Sequence, residues 1–240
     1  MRLRIISAVP REKERREEYL PYLRRTLRAD TRLESDGVAY GFPSVECDLH
    51  GMVNGAEVID CVVRAQEEGA DGAFVNCFDD PGVYAARELV RIPVFGGYQP
   101  AILIAMSLAD RVGVITTDAA GILSEQRKAR QSGFSERVAS IRAVNFGVLS
   151  MDANLALLAQ RITEACVDMY EKDRVGALTL GCTGMHNAVG AVRENLKKLR
   201  CPVTVIEPLQ NGVNFLENAV LQGYTNALGV IDNIDAWKRR

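Results

Sequence analysis

A chain of 240 residues that is 48% hydrophobic can bury a large core, as one domain or as two closely packed lobes. Its 29 basic and 31 acidic residues leave a formal net charge of −2, which gives no electrostatic footing for nucleic acid or an anionic membrane. The longest apolar run, residues 101–109, is far short of the roughly 20 that span a bilayer, and no signal segment is evident, so a cytoplasmic chain is expected.

Along the chain, short β-branched runs alternate with helical patterns. Strands are predicted at 3–8, 72–76, 94–95, 111–116, 139–145, 175–180 and 203–206; several lack polar alternation, as strands covered on both faces do. The mixed-sign charge run at 11–18 reads as a solvated helix face. Further helices are predicted at 53–68, 118–132, 152–170 and 185–199. In the third of these, Leu155, Leu158, Ile162, Ala165, Cys166 and Met169 form one apolar stripe. This alternation implies an α/β fold with right-handed crossovers and parallel sheets.

One internal echo organises the whole. Gly72-Ala73 opens a segment that runs strand, Cys77, turn, helix, Pro93 and strand. Gly176-Ala177 opens another that runs strand, Cys182, helix, Pro202 and strand. Pro93 follows Cys77 by 16 residues and Pro202 follows Cys182 by 20. The simplest account is two similar lobes, 1–96 plus 208–240 and 97–207, each with a cysteine at a strand's carboxyl end. Ligands of open α/β sheets bind outside those ends, so the active site is expected in a cleft between the lobes.

A cysteine between a strand and a helix N-terminus is well placed to hold a thiolate, because backbone N–H groups and the helix dipole favour negative charge there. Gly181 and Gly184, on either side of Cys182, would let the backbone approach a ligand closely. Two opposed thiols suit one reaction in particular. One removes a proton from a carbon next to a carbonyl, the other returns a proton to the opposite face, and the configuration inverts. N–H donors around the carbonyl oxygen stabilise the enolate, so no cofactor is required. Pro81-Gly82 signals a tight turn into the helix after Cys77, with Asp79 and Asp80 as candidate caps.

The remaining cysteines read as packing: Cys61 and Cys166 inside helices, Cys201 entering a strand, Cys47 as filler. His50 and His186 have no companions at metal-ligand spacing, so no metal is expected. His186, one helical turn past Cys182, reads as a polar contact on the helix surface. Glu46 and Glu207 are weaker candidates for orienting a substrate amide.

Asn76-Cys77-Phe78-Asp79-Asp80-Pro81-Gly82 and Leu180-Gly181-Cys182-Thr183-Gly184-Met185 resemble the paired cysteine motifs of the aspartate/glutamate/hydantoin racemase superfamily. The second is most similar to the hydantoin and allantoin racemase branch, as are Gly41-Phe42-Pro43-Ser44-Val45-Glu46 and Val114-Ile115-Thr116-Thr117. The resemblance spans about residues 37 to 208. It implies two flavodoxin-like lobes, a homo-oligomer, a small-molecule substrate and cofactor-independent inversion with Cys77 and Cys182 as acid and base. It also implies that Asn76, Phe78, Thr183 and Gly184 flank the substrate and that Thr116 and Thr117 meet its carbonyl. Two stretches depart from the family pattern: Ser7-Ala8-Val9-Pro10, where an Asn-Pro-Asn-like loop is usual, and Gly96-Gly97-Tyr98-Gln99-Pro100. A hydantoin-type cyclic ureide is the expected substrate. The alternatives are an aspartate- or glutamate-type amino acid, disfavoured by the lack of Arg or Lys adjacent to either cysteine, and a binding module without turnover.

Overall fold

A computed structural model describes residues 1–227 together with Trp237. The chain divides into two compact units, Met1–Gly97 with Gly212–Arg240, and Tyr98–Asn211. The first runs β1 (Arg2–Ser7), α1 (Lys13–Glu17), α2 (Leu20–Leu23), β2 (Arg32–Gly37), α3 (Asp48–Glu67), β3 (Gly72–Asn76), α4 (Val83–Arg87) and β4 (Val94–Phe95). The second runs α5 (Tyr98–Leu108), β5 (Val112–Thr116), α6 (Ala119–Gln131), β6 (Val138–Ala143), α7 (Leu155–Asp173), β7 (Ala177–Leu180), α8 (Val189–Lys198) and β8 (Thr204–Ile206). Helix α9 (Pro208–Leu221) begins in the second unit and ends in the first.

Each unit holds one four-stranded parallel sheet, and the two strand orders correspond: β2-β1-β3-β4 and β6-β5-β7-β8. This is the flavodoxin-like order, in which the chain reverses direction beside the first strand. The expected α/β class with two flavodoxin-like sheets is therefore what the chain adopts. Helix α3 packs on β1 and β3, with Ile6, Val58, Val62, Val75 and Val83 fully or almost fully buried. In the second unit α7 packs on β5 and β6 through the expected stripe, of which Leu158, Ile162, Cys166 and Met169 are wholly buried. Burying each such large side chain contributes about 1.5–3 kcal/mol.

The predicted strands lie within two residues of the observed ones, and 72–76 and 94–95 coincide with β3 and β4. Strand β2 lies outside the expected set. Its sequence, RLESDG, buries only Leu33 and Gly37, and as an edge strand it pairs with β1 alone, so it needs no apolar run. The helix predicted at 185–199 divides into a 3-10 turn, Thr183–Ala188, followed by α8. The charged run contains α1, with Lys13 and Glu17 paired at 3.8 Å across one turn. Among the described residues, no helix is long and apolar enough to cross a membrane.

Candidate active site

In the second unit the cysteine-bearing turn is built against the end of β5. Beyond β7, the Gly181 amide donates to the Ile115 carbonyl at 2.7 Å. A Cβ on Gly181 would come within 3.0 Å of that carbonyl oxygen and 3.1 Å of the Thr116 Cα. This glycine thus serves the approach of two strand ends, rather than the approach of a ligand.

Cys182 follows in extended conformation as the N-cap of the 3-10 turn, and is half-buried. The first helical hydrogen bond runs from the Met185 amide to the Cys182 carbonyl at 3.1 Å, so the Thr183 and Gly184 amides come before it. A Cβ at Gly184 would sit 3.4 Å from the Cys182 Sγ. Thr183 is buried, and its carbonyl lies 3.0 Å from the His186 Nδ1, which makes His186 a local polar contact of this turn.

Thr116, the last residue of β5, and Thr117, just past it, are buried, and β5 pairs with β7. Their carbonyls accept from the Val144 and Phe146 amides at 3.0 and 2.9 Å. The Thr116 hydroxyl faces Gly121 in the first turn of α6, where the Asp118 carboxylate accepts from the Gly121 amide at 2.9 Å. The second unit therefore gathers Thr116, Thr117, Thr183 and Gly184 around the strand ends that carry Cys182.

In the first unit Cys77 directly follows β3 and is half-buried. Its amide donates back to the Val75 carbonyl at 2.8 Å, an inverse γ-type turn, and its carbonyl accepts from the Gly97 amide at 3.0 Å. Asn76 ends the strand, and its Oδ1 is buried with no hydrogen-bond partner. A buried acceptor in that state asks for a donor from elsewhere. Phe78 is only 1% exposed, so its ring is part of the packed interior.

The turn then tightens. Asp80 has φ +50° and Gly82 has φ +73°; a Cβ on Gly82 would lie 2.5 Å from the Gly55 carbonyl oxygen. Pro81-Gly82 makes the expected turn into α4, and the N-cap position of that helix falls on Gly82 rather than on Asp79 or Asp80. The Asp80 carboxylate instead lies against Gly96, where its Oδ1 occupies the space a Cβ would need. Asp80 also opposes the burial that pushes the Arg87 guanidinium below its usual range. Because α4 starts six residues after Cys77, the helix-terminus stabilisation expected of both cysteines has a structural basis only at Cys182.

Asn54 is a positioning residue that sequence reasoning missed. It is fully buried in α3, and its Nδ2 donates to the Ala8 and Phe42 carbonyls, both at 2.9 Å. Its Oδ1 accepts from the Phe42 amide at 2.8 Å. One side chain thereby ties the loops after β1 and β2. Gly41, at φ +133°, leaves it room, since a Cβ there would overlap the Asn54 Oδ1. The available signal was a lone amide in an otherwise apolar helix face. Phe42 stacks on His50 with ring centroids 4.1 Å apart, which gives His50 a structural role.

The other candidates resolve locally. Glu207 accepts from the Leu209 and Gln210 amides at 2.6 and 2.8 Å, capping α9, and Glu46 accepts from the Ser44 hydroxyl. Burial pushes the Cys61 thiol up to about 12 and raises the Cys166 thiol still further, as expected of core cysteines. Among the described residues, no group of three potential ligands could hold a metal ion.

A model of the Asp/Glu/hydantoin racemase family matches residues 17–216, a span that takes in both cysteines and strands β2 to β8. The chain belongs to that family. It is 28% identical to a hydantoin racemase of Pseudomonas sp. (strain NS671), over 80% of this chain and 76% of the relative. With a hydantoin racemase of Paenarthrobacter aurescens it shares 31% identity, over 70% of this chain and 69% of the relative. The allantoin racemase structure from Klebsiella pneumoniae superposes with a TM-score of 0.84 at 26% identity, covering 95% of this chain and 90% of that one. As a racemase-family member the chain is an isomerase.

Proposed function

We propose that the chain is a cofactor-independent racemase acting on a carbon next to a carbonyl, in a hydantoin-type cyclic ureide, with Cys77 and Cys182 as acid and base. The observation that carries this reading is the equivalence of the cysteines. Each lies just past the third strand in sequence of its sheet, and those strands occupy the same place in matching strand orders. The relatives named as hydantoin racemases support the substrate class.

In this reading one cysteine, as thiolate, takes the proton from the ring carbon, and the electron pair moves onto the adjacent carbonyl oxygen as an enolate. The other cysteine, as thiol, donates its proton to the opposite face, and the electron pair returns to carbon. The two thiols exchange protonation states, so the reverse direction uses the same pair. The Thr183 and Gly184 amides, ahead of the first helical hydrogen bond, are the donors available at Cys182 for thiolate or enolate. The orphaned Asn76 Oδ1 suits a ring N–H, a donor that a hydantoin unsubstituted on nitrogen carries. Thr116 and Thr117 complete the polar lining by their place beside Cys182, while Phe78 supports the Cys77 turn from within.

Incubating single enantiomers of a panel of substituted hydantoins and of allantoin in D2O tests the reading. The expected result is loss of optical activity with deuterium at the inverted carbon. Neither exchange nor racemisation across the panel would sink the substrate assignment.

A further inference from the structure

A cavity of about 550 Å³ opens in the first unit, lined by Pro10, Arg11, Glu12, Lys13, Arg15, Arg16, Val38 and Ala39. Its size is that of a small-molecule site. Four of the lining residues are cations and one is an acid. We propose that this basic pocket binds a carboxylate on the substrate's side chain, so that the enzyme's substrates are cyclic ureides with an acidic substituent.

The pocket stands at the edge of the sheet that carries Cys77. Ser7, the last residue of β1, pairs with Gly37 on one side and with Asn76 on the other. Val38 follows Gly37 directly, and its amide donates to the Ser7 carbonyl at 3.2 Å. Pro10 is three residues beyond Ser7. The carboxyl ends of β2, β1 and β3 are thus level, and the end of β2 lies two strand spacings, about 10 Å, from that of β3. A short acidic side chain on a ring held at Cys77 spans that interval.

The arginines are held without being neutralised. Arg11 donates from Nη1 to the Tyr19 hydroxyl at 3.3 Å, a neutral partner, while the exposed Lys13 pairs with Glu17. Among the described residues Arg15 and Arg16 have no ion pair. The Arg16 Nε is buried with no hydrogen-bond partner, and its Cδ lies 2.9 Å from the position of a Cβ on Gly37, so that glycine leaves space for the arginine stem over the strand end. Planar guanidinium groups of this kind match a carboxylate through paired, charge-assisted hydrogen bonds.

The inference takes its ring chemistry from the racemase reading, and calorimetry on the full chain tests it separately. The probes are a hydantoin with a propionate side chain and its uncharged propionamide counterpart. The acid should bind about ten-fold more tightly, the factor expected of one hydrogen bond to a charged group. That ratio should fall to about one in Arg16→Gln and narrow in Arg15→Gln, whose exposed side chain can be changed without disturbing the packing. Equal binding of the two probes, or a ratio that survives both substitutions, would overturn the pocket assignment. Preferential binding of the acid without racemisation would leave the pocket standing and remove the racemase reading. Racemisation without preference would do the reverse.

Discussion

The half that carries Cys77 and the half that carries Cys182 share a strand order and differ in the turn after the cysteine. Cys182 opens directly into a helical turn with two amides ahead of its first hydrogen bond. Cys77 is succeeded by a left-handed corner at Asp80 and Gly82, and by a helix of only five residues that begins too late to act on the sulfur. Equivalent positions in a duplicated topology therefore do not imply equivalent electrostatics. The topology repeats the place of the thiol, and each loop decides how a negative charge there is supported.

The sharpest way to break the comparison is to remove each thiol in turn. Cys77→Ser and Cys182→Ser should each lower kcat/KM for racemisation by about 10²–10⁴-fold, the usual contribution of a positioned acid or base. Chiral chromatography in D2O reads both inversion and exchange. Each variant should retain solvent exchange from one enantiomer only, and the two variants should favour opposite enantiomers. A variant racemising at near the original rate would show that its cysteine is not one of the pair.

Alkylation separates the two strand-end cysteines from the core ones. With iodoacetamide at pH 8, label should enter Cys182 and Cys77 well before Cys61. A thiol at about 12 is ionised at roughly one part in 10⁴ at that pH, and its reactivity follows its thiolate fraction. Mass spectrometry of the peptides gives the order. Early labelling of Cys61 or Cys166 would contradict their placement in the two cores.

Glycine substitutions sharpen the contrast between the halves at smaller scale. Gly82→Ala should cost about 2 kcal/mol or more, because the left-handed conformation disfavours a Cβ and the Gly55 carbonyl stands in its way. Gly190→Ala, on the exposed side of α8 with nothing nearby, should stabilise by about 0.5–1 kcal/mol. Urea midpoints compare them, and a shift of the same sign in both would refute the local account.

The smallest effect is electrostatic. Asp173 accepts from the Ser140 hydroxyl and from Arg142, both at 2.7 Å, and these partners hold its carboxyl below the usual range, Ser140 having the larger influence. A carboxyl with a lowered folded value adds stability that is complete above about pH 4 and is lost as pH falls through the folded value. Asp173→Asn should cost about 0.5–1 kcal/mol at pH 7, and the cost should shrink as the pH falls below about 4. Glu34, held below its usual range chiefly by Arg2, gives the matching measurement on β2, the corresponding edge strand of the first half.

Much of this molecule was legible along the chain. Buried parallel strands are continuous apolar runs, so β1, β3, β5 and β7 announced themselves, and the stripe of α7 did the same at helical spacing. The cysteine-to-proline echo was enough to place Cys77 and Cys182 at strand ends. The edge strand β2 was hidden because one-sided pairing demands few apolar residues. Asp80 misled because a residue's helix-capping preference says nothing about where a left-handed corner will point its carboxylate. The Arg11 to Arg16 stretch read as a solvated helix face, and became a pocket wall only through the return of β2 beside β1.

The sequence by itself thus determined the fold class, the duplication and the place of Cys77 and Cys182 at strand ends, because each is written in local periodicity or in residue identity along the chain. Tertiary structure alone decided that Asn54 ties two loops, that Asn76 keeps a buried acceptor without a partner, and that four cations meet around one cavity. Those features depend on contacts between residues far apart in the chain. A side chain's hydrogen-bond partners and its neighbouring charges are set by which strands lie side by side, and that order is a property of the folded sheet.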